Sequence, residues 1–174
     1  MNIAKLLGFS IGIIVGIVLA IIIFMKANKN GKVKTEYDER QTLIRGLGYK
    51  YSFYGTIIAI AVIGLLEDMG ITIPATPFVK QFIAIAIGLL IMITYCIFND
   101  GYWGLNNDTY KYTIAFILIF ASNLICTIAS IVTGSMFEDG LLQVNGTNLI
   151  CTVLFLILGI EVLIKKQLDK KEAE

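Results

Sequence analysis

Five apolar runs, each near the length of a bilayer's hydrocarbon core, leave this chain one class of fold. A helix needs ~20 apolar residues to cross that core. The runs fall at about 3–25, 51–66, 78–98, 112–133 and 149–164. In hydrocarbon, backbone amides and carbonyls must be paired within the protein, which makes each such run a helix. Composition agrees: 57% of the residues are hydrophobic and mean hydropathy is +0.80, values of the membrane class. The expectation is an all-α, polytopic transmembrane helix bundle with five spans in a single domain, 1–174. A polar tail covers 165–174. The first run exceeds the apolar stretch of a signal peptide, and no small-x-small cleavage site follows before Lys26, so it is expected to be a retained span.

Charge sets the orientation. Of the 14 basic residues, all but Lys5 and Lys80 fall in the first and third connections or in the tail. The opposite side carries the acidic pairs Glu67/Asp68 and Glu138/Asp139. Basic residues stay on the cytoplasmic side, which puts the amino terminus outside and the carboxyl terminus inside a bacterial cytoplasmic membrane. All eight tyrosines and the single tryptophan, Trp103, lie on or near the basic side, where aromatic rings anchor at the interface.

The first connection is the longest polar passage. After the link 26–34, Thr35 and Asp38 fit a capping box, in which a hydroxyl and a carboxylate three residues apart satisfy each other's free amides. Tyr37, Ile44, Leu47, Tyr51 and Tyr54 share one helical face, with Glu39, Thr42 and Lys50 away from it. The pattern predicts a cytoplasmic amphipathic helix over about 35–50, lying at the interface and bending into the second span near Gly46 or Gly48. Its charged cluster, Asp38, Glu39, Arg40, Arg45 and Lys50, is the candidate surface for a cytoplasmic protein partner. A solvated, self-neutralising helix face is the plainer alternative.

These residues also carry a resemblance. Tyr37-Asp38-Glu39-Arg40-Gln41, followed by Arg45-Gly46-x-x-Tyr49-Lys50, resembles a juxtamembrane signature of small uncharacterised integral membrane proteins from Gram-positive, Clostridia-like bacteria. There the pattern reads D-E-R-Q-x-x-x-R-G-K-x-Y/F-K ahead of an aromatic-led span; Leu47 stands here where lysine is frequent. Association of that group with small helix-turn-helix regulators implies a regulatory role.

Two further features are candidates. Gly8, Gly12 and Gly16 recur every four residues and form a small-residue stripe that lets another backbone approach. The stripe serves either packing within the chain or a homo-oligomer. In the fourth span, Ser122, Asn123, Thr127 and Ser130 lie in two adjacent helical rows. They either line a ligand or ion path or bond to neighbouring helices and their own carbonyls. Glu161 lies one turn inside the basic end, and the spacing predicts an ion pair with Lys165.

Catalytic chemistry has little to stand on. There is no histidine, hence neither the commonest general base nor the commonest metal ligand. The three cysteines sit singly in apolar runs and match no metal spacing. No catalytic residue, cofactor or metal is expected, and a net charge of +1 gives nucleic acid no basic surface to bind. The lipid bilayer is the one certain partner. Two functions from different classes follow: a regulatory or sensory protein acting through the 35–50 helix, or a transport-accessory or self-immunity protein acting through the fourth-span polar face.

Overall fold

A computed structural model describes residues 36–105 and 109–172, together with Val18 and Ile22, the side chains of 109–112 and 172 excepted. Contacts divide the chain into two units, 1–36 and 37–174; the description below concerns the second. Apart from Val18 and Ile22, the first apolar run, with Gly8, Gly12 and Gly16, lies outside the described residues, as does Thr35.

Four helices among the described residues are long and apolar enough to cross a membrane. They are α1 (Glu39–Asp68), α2 (Pro77–Phe98), α3 (Thr109–Val132) and α4 (Thr147–Glu172). Helix α1 packs on α2, α2 packs on α4, and α4 packs on α3. The most buried element is α2, held between α1 and α4, where Val79, Ala84 and Cys96 are almost fully enclosed. Outward faces remain apolar, with Ile58, Leu118, Ile125 and Val132 all well exposed. Such large exposed apolar area is what a lipid-facing surface requires and what a water-facing one avoids.

The α1–α2 hairpin packs through small residues. Gly48 of α1 is buried, and a Cβ there would stand 3.0 Å from the Cys96 thiol. One and two turns on, Ser52 and Thr56 meet Gly88 of α2, where any Cβ would strike the Thr56 hydroxyl. Gly55 faces Ile91 in the same way. Without a hydrophobic force between helices in lipid, close backbone approach and dispersion hold such a pair together.

Helix ends follow local chemistry. At its carboxyl end α1 stops in a Schellman motif: Gly70 takes φ +80°, its amide donates to Glu67, and the Ile71 amide donates to Leu66. Thr76 and Pro77 open α2, proline taking the first-turn position where its missing N–H is no loss. Lys80, one of the two basic residues expected on the outer side, pairs with Glu67 and ties the start of α2 to the end of α1.

Two features differ from the sequence expectations. Helix α1 begins at Glu39, and Asp38 is its N-cap in extended conformation (ψ 173°). The capping box is therefore Asp38 with Gln41, not Thr35 with Asp38, since an extended Asp38 cannot occupy the third position of a helix. Second, α1 runs unbroken from 39 to 68, so no break in the helix at Gly46 or Gly48 separates an interfacial helix from a span. At 1.5 Å per residue its 30 residues rise about 45 Å, well beyond a ~30 Å hydrocarbon core. The polar residues 165–172, helical by propensity, form the last two turns of α4.

Between α3 and α4 lies a small β-hairpin, Phe137–Glu138 with Leu141–Leu142. Asp139 (φ 50°) and Gly140 (φ 76°) form its two-residue turn, the D-G type I′ geometry that matches strand twist. Leu142 also bridges Ala75, its amide donating to Pro74 while the Thr76 amide donates to Leu142. The α1–α2 and α3–α4 connections are thereby joined.

Candidate functional site

The charged cluster of the first connection is brought to the loop that follows α2, at the basic end of the bundle. That loop starts from a second Schellman motif, with Gly101 donating to Cys96 and Asp100 to Ile97. The left-handed position usually given to glycine is held by Asp100, at φ 62°. Aspartate tolerates this region better than most residues, and here its carboxylate is used. Lys165 of α4 lies 2.8 Å from one oxygen, and Arg40 of α1 lies 3.6 Å from the other.

Around Asp100 the first turns of α1 clasp the loop. The Gln41 carboxamide donates to the Asp100 and Trp103 carbonyls, each at 3.0 Å. Arg45 donates to the Gly101 carbonyl at 3.5 Å and stacks its guanidinium 4.2 Å from the Tyr37 ring centre. Ile44 is buried against Gly101, where any Cβ would collide with it. The Asp38 carboxylate caps α1 by accepting from the Gln41 amide at 2.6 Å, and the Asp38 amide donates to the Gln41 side-chain oxygen at 3.4 Å, which orients that side chain toward the loop.

Electrostatically this is a neutralised joint. Lys165 also meets Asp169 at 2.7 Å, one turn along α4. It lies past the apolar run that ends at Ile164, and the hydrogen bonds it donates to Asp100 and then to Asp169 raise its pKa above the ordinary lysine value. The ammonium therefore stays charged throughout the physiological range. Arg40–Asp100 is well exposed and worth ~0–1 kcal/mol; the two Gln41 bonds, about 1 kcal/mol each, hold more.

Of the five candidate partner-binding residues, Asp38, Arg40 and Arg45 are thus engaged within the chain. Glu39 and Lys50 remain exposed on α1, along with Thr42 and with Leu43 at 66%. Sequence reasoning assigned no role to Gln41, Asp100 or Gly101. The Asn99-Asp100-Gly101 triplet was the available signal, since such residues mark tight turns.

The intramembrane candidates are satisfied locally. In α3 Ser122 donates to Ile119, Asn123 to Ile119, Thr127 to Asn123 and Ser130 to Cys126. Thr127 and Ser130 are buried, while Ser122 is exposed. One contact crosses to α4, between the Thr127 and Thr152 hydroxyls at 3.3 Å. Asn123, Thr127 and Ser130 thus share one face of α3, and Ser122 lies off it. Glu161 differs from expectation: its two carboxylate oxygens share the single hydroxyl proton of Thr94 of α2, at 2.8 and 3.0 Å. Lys165 turns to Asp100 and Asp169 instead, because α2 lies against the Glu161 side of α4.

Among the described residues no group of three His, Cys, Asp or Glu is placed to hold a metal ion. Compared with known families, with characterised proteins and with solved structures, the chain matches none.

Proposed function

We propose that the chain is a five-span protein of a bacterial cytoplasmic membrane, amino terminus outside, with a non-enzymatic regulatory or sensory role. The clasp between α1 and the 99–103 loop supports this most directly. It fixes the first turns of α1 as a rigid extension of a span, with Glu39, Thr42, Leu43 and Lys50 facing outward. An ordered, partly apolar and charged ridge on the basic side is the kind of surface a soluble partner reads, since little ordering entropy remains to be lost on docking. This replaces a helix lying flat at the interface with one standing out of it.

The transport-accessory reading has less behind it. Hydroxyls bonded to their own helix carbonyls are ordinary in spans and define no path.

The test compares two sets of variants. Glu39→Ala, Leu43→Ser and Lys50→Ala together should abolish co-purification of a specific soluble partner while leaving the protein folded in detergent. Retention of the same partner by that variant would refute the docking ridge. The neighbouring face variant Ile58→Ser should leave the complex intact.

A further inference from the structure

One feature has no role in the clasp or the ridge. A groove of about 770 Å3 is walled by α2, α3 and α4, within the ~300–1,000 Å3 typical of small-molecule sites. It runs along α2 from Phe82 to Ile97 and along α4 from Ile150 to Leu163. From α3 only the first half, Thr113 to Phe120, takes part. The helices close at the other end through Thr127 and Thr152. Midway, Phe116 packs edge-on against Phe155 with ring centres 5.1 Å apart. Tyr102 and Trp103 stand at the basic end of the groove.

Its chemistry selects an occupant. The lining is almost entirely hydrocarbon and aromatic ring, with too few polar partners to hold ordered water. An elongated apolar guest suits a groove that follows the helices lengthwise. The basic end supplies the complement for a charged head. Val162 and Leu163 line the groove, and exposed Lys166 follows them at i+4 and i+3 on the same side of α4. The acidic groups there, Asp100 and Asp169, are already taken up by Lys165 and Arg40. A positive residue and an indole ring, both at the basic end of an apolar groove, match an anionic lipid, with Trp at the headgroup level.

We propose that this groove seats one acyl chain of an anionic phospholipid, its headgroup held at Lys166. The inference rests on the membrane reading above. The lipid becomes a structural wedge that keeps the first half of α3 apart from α2.

Trp103 is the single tryptophan, so its fluorescence reports the groove without labelling. The full-length protein is reconstituted in neutral phosphatidylcholine vesicles containing either brominated phosphatidylglycerol or brominated phosphatidylcholine at equal mole fraction. Quenching by the anionic lipid should show about a fivefold higher affinity, the size expected of one lysine at an anionic head. Lys166→Gln should equalise the two lipids, and Lys166→Arg should restore the preference. Gly159→Leu, whose side chain would enter the groove beside Phe116, should weaken anionic quenching in protein of unchanged melting temperature. Equal quenching by both lipids in the unaltered protein, or a preference that survives Lys166→Gln, overturns the lipid site and leaves the membrane reading standing. Quenching by neither lipid overturns the membrane reading itself.

Discussion

The Lys165 ammonium lies 2.8 Å from the Asp100 carboxylate, joining the last turns of α4 to the loop that ends α2. Arg40 of α1 reaches the same carboxylate. Three elements distant in sequence thus share one acidic group.

That arrangement makes Asp100 separable into backbone and side-chain roles. Asp100→Gly relaxes the left-handed position but removes the carboxylate; Asp100→Asn keeps the side-chain shape and loses the charge. Each should lower stability in detergent by about 1 kcal/mol, the upper range for exposed pairs. Lys165→Met should cost a similar amount, and the double variant Asp100→Asn/Lys165→Met less than the sum. Additive losses in thermal unfolding would show that the pair contributes nothing.

The α1–α2 seam predicts a contrast between two glycines only two residues apart. Gly48→Leu should clash with Cys96 and the Met92 carbonyl and destabilise by ~1–3 kcal/mol or more. Gly46 has nothing within 4 Å of its would-be Cβ, so Gly46→Ala should stabilise by about 0.5–1 kcal/mol through helix propensity. Equal effects at both positions in a melting assay would argue against the packing described.

Asp38 predicts a local effect. Asp38→Ala removes the cap, at about 1 kcal/mol, and loosens the first turn that carries Gln41. Amide exchange in lipid nanodiscs should show 39–50 well protected in the unaltered protein and less so in the variant. Exchange over 39–50 already fast before the substitution would remove the clasp as a rigid element.

Orientation is tested directly. A reporter active only in the cytoplasm should work when fused after Lys171 and fail when inserted at Thr72. The reverse pattern would mean that the basic end faces outward.

Parts of the architecture were legible because they depend on local chemistry. The run expected at 78–98 appears as Pro77–Phe98, bounded by a proline that cannot continue a helix backward and an Asn-Asp-Gly turn. Asp139-Gly140 is a hairpin signal, but the two-residue strands it joins are too short to show an alternating pattern in the sequence. Thr35 and Asp38 both suit an N-cap on local rules. Asp38 takes the position, and the Gln41 it orients finds its second set of partners in the Asp100 and Trp103 carbonyls, some sixty residues away.

Glu161 marks the boundary between the two kinds of information. By itself the sequence determined apolar length, charge asymmetry and turn chemistry, all properties read along one dimension. Those suffice to make membrane-length helices and to place basic residues at one end. Only the tertiary structure decided that Glu161 bonds to Thr94, that Gly48 meets Cys96 and that Arg40 and Lys165 share Asp100. Such pairings depend on each helix's rotation about its axis and on which neighbour it packs against. In a span apolar on every side, hydrophobicity leaves that rotation free, and close packing of small and polar residues across helices fixes it.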